Sequence, residues 1–159
     1  MKRLMFLILF VLMLTSCQKG KSASSESKSL IPRKDYAMLI VESQGCIYCK
    51  QLDKDLKTNQ ELIQTLKDMD VYRVLAESNA PVFIKLDGKE MTTTEDKLVD
   101  ILGVRSYPHI IFYNKEGRVV LQVPGYVPPK TLTCVVNYVK AQEFEKKKLM
   151  DYLKEQRCI

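Results

Sequence analysis

Gly45-Cys46-Ile47-Tyr48-Cys49-Lys50 is the stretch from which the rest of the chain is read. Just before it runs Ala37-Met38-Leu39-Ile40-Val41, a short apolar run rich in branched residues that reads as a buried strand. Lys50 opens an apolar-periodic run, continued by Leu52 and Leu56, that reads as a helix. A C-x-x-C pair therefore falls where a strand ends and a helix begins. The first helical turn has unpaired backbone N–H groups and a partial positive charge, and both favour a thiolate over a thiol. Cys46, at the helix tip, is expected to have a lowered pKa and to be the attacking sulfur. Cys49, one turn on and facing the same side, is placed to resolve a mixed disulfide on Cys46. Two other readings exist. Half of a zinc site would need four Cys or His ligands, and the chain has one His, with its other cysteines standing singly at 17, 134 and 158. A purely structural disulfide is the second, and the strand-to-helix setting favours redox chemistry over it.

The N-terminus reads as an address. Lys2-Arg3 precede an unbroken apolar run from Leu4 to Leu14, too short to span a bilayer comfortably and shaped like a secretory signal. The run ends in Leu14-Thr15-Ser16-Cys17, which resembles the bacterial lipoprotein signal, cut before a cysteine that then carries the lipid. An ordinary signal peptide that happens to hold a Cys is the alternative. Residues 1–16 are thus expected to be removed and Cys17 to be lipidated, holding the protein on a membrane. Gln18 and Lys19 follow the cysteine, without the Asp that often marks inner-membrane retention, which leans toward the outer membrane in a double-membraned cell. Residues 17–30, rich in Ser and Lys, read as a flexible tether, and 31–159 as the folded domain. This places the C-x-x-C on the extracytoplasmic, periplasmic side of a bacterial membrane.

The whole chain carries 25 basic and 19 acidic side chains, net +6; without Lys2 and Arg3 the 23 remaining basic residues leave +4. That balance is mild. Lys146-Lys147-Lys148 is interleaved with Glu143, Glu145 and Asp151 and reads as a solvated helix face. No aromatic–basic platform points to nucleic acid.

Further along, Thr58-x-x-Glu61 has the form of a capping box that starts a second helix with Leu62, Ile63, Leu66 and Met69 inward. Val71–Leu75 stays open between a strand and a helix end. Pro81–Asp87 reads as a strand closed by the Asp87-Gly88 turn, and Thr92-x-x-Glu95 as a second box, leading a helix with Leu98, Ile101 and Leu102 inward and Gly103 at its stop. Ile110–Tyr113 and Val119–Val123 flank the turn Asn114-Lys115-Glu116-Gly117 as an antiparallel hairpin. Pro128-Pro129 opens a last helix with Leu132, Val135, Val136 and Val139 inward. The order strand–helix–strand–helix–strand–strand–helix implies an α/β fold: a three-layer mixed sheet, parallel βαβ plus antiparallel hairpin, with helices on both faces. The C-x-x-C then lies at a strand's carboxyl end, where such sheets place their sites.

At this point the sequence resembles the thioredoxin superfamily, and within it the secreted thioredoxin-like proteins of the SoxW type. The matching pieces are Cys46-Ile47-Tyr48-Cys49-Lys50, Gly103-Val104-Arg105-Ser106-Tyr107-Pro108 and Pro124-Gly125-Tyr126-Val127-Pro128-Pro129. The resemblance implies the thioredoxin fold, a cis proline at Pro108 lying against the cysteines, and Tyr107 bordering the sulfurs and helping to select partners. An ordinary trans proline opening a strand is the other reading of Pro108. Two departures stand out. Gly45 occupies the place of the family's tryptophan, and the buried acid beneath the second cysteine corresponds to the apolar Ile40, with Glu42 nearby and Lys85 a distant candidate neighbour. His109 reads as a packed strand residue, Cys134 as a partly buried free thiol, and Cys158 as exposed and available for intermolecular pairing.

The resulting expectation is a membrane-anchored thiol:disulfide oxidoreductase. Its redox-active disulfide is Cys46–Cys49, and no other cofactor and no metal are expected. Its partners are cysteine-containing secreted or periplasmic proteins and a membrane protein that donates electrons. The reducing direction follows from the SoxW-type likeness. A disulfide-forming oxidase or isomerase is the alternative enzyme. A non-catalytic binding module, holding a partner or Cu(I), is the alternative of another class.

Overall fold

A computed structural model describes residues 27–159; the expected signal peptide, Cys17 and most of the expected tether lie outside the described residues. Strand β2 (Tyr36–Glu42) is the centre of the fold. Ala37, Met38, Leu39, Ile40 and Val41 are all 0% exposed, so the strand is covered on both faces, as its unbroken apolar run requires. The chain leaves β2 through a loop into helix α1 (Ile47–Thr58), then α2 (Gln60–Thr65) and a short 3-10 turn, and returns as β3 (Asp70–Leu75), parallel to β2. On the other edge of β2 lies β6 (His109–Asn114), antiparallel, hairpinned to β7 (Val119–Pro124). The four-stranded order is β3-β2-β6-β7. This is the mixed sheet read from the sequence.

Side chains alternate across the sheet. Met38, Ile40, Ile110 and Phe112 face α1, α2 and helix α4 (Pro129–Lys140). Leu39, Val41, Ile111 and Tyr113 face helix α3 (Glu95–Ile101). Helices therefore cover both faces, and Pro129 opens α4 at its first turn, where the missing N–H is harmless.

The second strand of the βαβ unit differs from expectation. It is β3, the stretch left open, whereas Pro81–Leu86 forms β4 in a separate three-stranded sheet with β5 (Lys89–Thr94) and the short β1 (Lys28–Ser29). An edge strand with one wet face, carrying Arg73 and an exposed Val71, lacks a pure apolar signature. Thr92 lies within β5 rather than at a helix start, and α3 begins only after Thr94. Likewise Asn59, not Thr58, caps α2, its side-chain oxygen accepting from the Leu62 N–H at 2.9 Å. Ile101 is 52% exposed, and Val99 takes its expected place inside. The small sheet is seated on the β6–β7 turn by Asp87 and Gly88 N–H bonds to the Gly117 and Glu116 carbonyls. Gly117 is required there, since a Cβ would stand 2.0 Å from the Lys85 carbonyl oxygen. Lys28 and Ser29, at the end of the expected tether, pair with Val82 and Phe83, and Leu30 behind them is fully buried.

The C-terminal cysteines correct the reading of two free thiols. Cys134, on α4, is bonded to Cys158, which is buried rather than exposed. Helix α5 (Leu149–Glu155) packs back along α4 through Leu153 and a Tyr138–Tyr152 contact at 5.1 Å, which brings the distant cysteine home. The bridge spans a sequence separation of 24. On chain entropy alone a loop of that size is worth about 3.5 kcal/mol. The double variant Cys134→Ser/Cys158→Ser is expected to lose about that much unfolding free energy in urea while Cys46–Cys49 stays intact. Unchanged stability would mean that the strap holds without its staple.

Candidate functional site

Cys46 and Cys49 sit at the carboxyl end of β2 for local reasons. Gly45 takes φ +72°, a left-handed turn that glycine adopts without penalty, and this swings the chain from the strand into α1. Ser43 and Gln44 are held from the side by Glu77, whose carboxylate accepts from the Ser43 hydroxyl and, at 3.1 Å, from the Gln44 N–H. The Ser43 hydroxyl holds the Glu77 carboxyl below the usual range. Cys46 is the N-cap of α1, and its sulfur accepts from the Cys49 N–H at 3.1 Å. The two cysteines are joined in a disulfide with Cα atoms 5.2 Å apart. Cys46 is half-buried, Cys49 is 6% exposed, and Ile47 and Tyr48 between them stand out at 77% and 62%. The asymmetry matches the expected roles of an accessible and a shielded sulfur.

Two grooves meet at this disulfide. One, of about 340 Å³, is charged: Glu42, Lys50, Asp53 and Arg73 line it beside both cysteines. Arg73 on β3 bridges Glu42 at 2.6 Å and Asp53 at 2.9 Å, tying the end of β2 to the second turn of α1. The Lys57 ammonium, hydrogen-bonded at 2.6 Å, and the charge of Arg73 hold the Asp53 carboxyl below the usual range. Ile40 is fully buried in the core between the sheet and the helices, and Glu42 lines this groove. Lys85 is not part of either groove; it lies on β4, paired with Glu90.

The other groove, of about 410 Å³, is lined by Ser43, Gln44, Cys46, Ile47, Tyr48 and Tyr107, with no Asp, Glu, Lys, Arg or His among its walls. The Tyr107–Pro108 peptide is cis. The Pro108 carbonyl accepts from the Gly125 N–H at 2.8 Å, which joins the proline loop to the Pro124-Gly125-Tyr126 corner. His109 points away from this chemistry. It is buried, its Nε2 lies 2.9 Å from Gln122 Oε1, and its Nδ1 has no partner.

Among the expected site residues, Cys46, Cys49 and Tyr107 come together; Pro108 follows Tyr107 through the cis peptide and lines neither groove, and Cys17 lies outside the described residues. Sequence reasoning missed the Arg73 bridge, which is a long-range pairing with no local signal. It also missed the stacking of Tyr48 on Tyr126, rings 5.8 Å apart and 22° from parallel. An aromatic residue inside the C-x-x-C was the one available signal. Tyr126 is itself anchored: its hydroxyl donates to Asp55 Oδ2 at 2.6 Å, and Gln51 donates to the other oxygen of that buried carboxylate at 2.8 Å.

Residues 24–140 match the family model described as a thioredoxin-like domain. No curated protein matches the chain. Among solved structures, a thioredoxin-fold protein from Helicobacter pylori is 27% identical with a TM-score of 0.76, covering 84% of this chain and 91% of that one. The periplasmic thioredoxin SoxS from Paracoccus pantotrophus is 16% identical with a TM-score of 0.49, covering 69% and 99%. Trxlp from Edwardsiella tarda is 17% identical with a TM-score of 0.48, covering 65% and 84%.

Burial, then the hydrogen bond to Asp55 and its charge, push the Tyr126 hydroxyl from 10.0 to about 12. The neutral form is favoured in the folded state, so the stability it contributes is full below pH 10 and is lost as pH rises through about 12. Tyr126→Phe is therefore expected to cost about 1–2 kcal/mol at neutral pH. That cost should shrink above pH 10. Urea midpoints of the two proteins across that range read the difference, and a cost that grows with pH would contradict the assignment.

Proposed function

Because the chain belongs to the thioredoxin-like domain family, we propose that it is an extracytoplasmic thiol:disulfide oxidoreductase that reduces disulfides in secreted or periplasmic proteins. The observation that carries this reading is the pair at the tip of α1, Cys46 reachable and Cys49 shielded directly behind it. In the reduced form, the Cys46 thiolate attacks a substrate disulfide. A mixed disulfide forms and one substrate sulfur leaves as a thiolate, which takes a proton from water. Cys49 then gives its proton to solvent and attacks Cys46, breaking the mixed disulfide and releasing the second substrate thiolate. Two electrons pass from the dithiol to the substrate, leaving Cys46–Cys49 oxidised. A dithiol of a membrane protein returns them by the same exchange in reverse.

Helix geometry supports the first step. The open N-terminus of α1 and the Cys49 N–H both stabilise negative charge on Cys46. The SoxW-type likeness supports the reducing direction. The basic and apolar N-terminal run ending at Cys17 supports export and a lipid anchor. The Cys134–Cys158 bond supports the same location, since structural disulfides persist in oxidising compartments.

Reduction of insulin by the dithiothreitol-charged protein tests the mechanism. Cys46→Ser is expected to abolish it, and Cys49→Ser to accumulate a covalent complex with substrate that reductant releases. Activity retained by Cys46→Ser would overturn the assignment. Direction is read from the potential of the pair against glutathione buffers: about −270 mV fits a reductase, and about −120 mV would make the protein an oxidant.

A further inference from the structure

The two grooves beside Cys46 differ in kind. Every charged side chain that borders the cysteines, Glu42, Lys50, Asp53 and Arg73, belongs to one groove. The other runs between Tyr48 and Tyr107, with Ile47, Ser43 and Gln44 completing its lining; it carries no Asp, Glu, Lys, Arg or His, and it is continuous with the reachable sulfur. Tyr48 is mostly exposed and would be free to swing away, but its ring lies on Tyr126. Tyr126 is fixed in turn, through its hydroxyl on the buried Asp55 and through Gly125, whose N–H is bonded to Pro108. One wall of the cleft is thus clamped to the loop that bears the other wall.

We propose that Tyr126 is a positioning residue for substrate choice: by holding Tyr48, it maintains an uncharged cleft that accepts an extended polypeptide disulfide with an apolar side chain beside the attacked cysteine. The inference rests on the oxidoreductase reading above. An apolar side chain entering the cleft loses water on both sides without stripping a charge, whereas a carboxylate there meets no cation and is desolvated against aromatic faces. Both cations beside the cysteines, Lys50 and Arg73, lie in the other groove, and Arg73 is already occupied there by Glu42 and Asp53. Peptide disulfides flanked by Leu or Phe are therefore preferred over those flanked by Glu and over oxidised glutathione, which is itself anionic.

The experiment uses the reduced protein and three probes: a disulfide-linked peptide pair with Leu beside each cysteine, the same pair with Glu in place of Leu, and oxidised glutathione. Wild type is expected to favour the Leu pair over the Glu pair by about tenfold in kcat/KM. Tyr126→Ala should remove most of that preference through a raised KM for the Leu pair, leaving the rate with oxidised glutathione within about twofold. Tyr48→Ala, at an exposed position that leaves the Tyr126–Asp55 bond intact, should lose the same preference in a fully folded protein. Tyr126→Phe keeps the stacking ring and should keep most of the selectivity. Selectivity unchanged in both alanine variants overturns the inference. So does an equal fall on all three probes, which would mark a purely structural role. A wild-type protein that reduces every probe without preference overturns this inference alone. One that reduces none overturns the oxidoreductase reading and the inference with it.

Discussion

Burial of β2 on both faces is the constraint that positions everything else. A strand hydrogen-bonded along both edges, with five consecutive residues removed from water, has one register that keeps Met38 and Ile40 on one side and Leu39 and Val41 on the other. A slip of one residue would exchange the two cores. The strand's carboxyl end is therefore a fixed point, and the cysteines begin four residues beyond Glu42. Loop flexibility could still blur that position. Glu77 on one side and the Arg73 bridge on the other remove it, so the helix tip is held by the sheet rather than by its own short loop.

The surroundings of the disulfide show how a fold shared by many proteins acquires an individual site. The position that the resemblance aligns with the family's buried acid is the apolar Ile40, and the acids near the cysteines are Glu42 and Asp53, which share one arginine. Partial exposure keeps each of these ion pairs modest in energy, and their arrangement matters more than their strength. They leave one flank of Cys46 charged and the other uncharged, and so give the sulfur a handedness toward whatever approaches it.

Much of this was legible in the chain. The two-sided strand, the helix that carries the cysteines, the hairpin around Asn114–Gly117 and the proline-led last helix each have a local signature. What escaped was non-local. β3 is an edge strand whose alternation is diluted by Arg73, so its pairing with β2 is visible only once the sheet exists. Thr92 and Glu95 imitate a helix start, yet β5 is stabilised by pairing with β4, which no window of a few residues contains. Cys134 and Cys158 appeared unrelated because the segment between them folds back, and spacing alone does not reveal a reversal. At the site, the cysteines and the cis proline follow from motifs, while the Tyr48–Tyr126 stack depends on two residues far apart in sequence.

The bond between Cys134 and Cys158 also sets an order of events in the life of the molecule. Each disulfide takes two electrons out of the chain, so the newly made polypeptide has to meet an oxidant before its C-terminal strap is closed. The strap covers the flank of α4 and lines neither groove at Cys46, so its cysteine bridge stands apart from the pair at the helix tip. On the proposed reading, a protein that passes reducing equivalents to others begins as a client of the opposite chemistry. The Cys158 side of that first bridge is buried, whereas Cys46 of the second pair stands half-exposed at the helix tip.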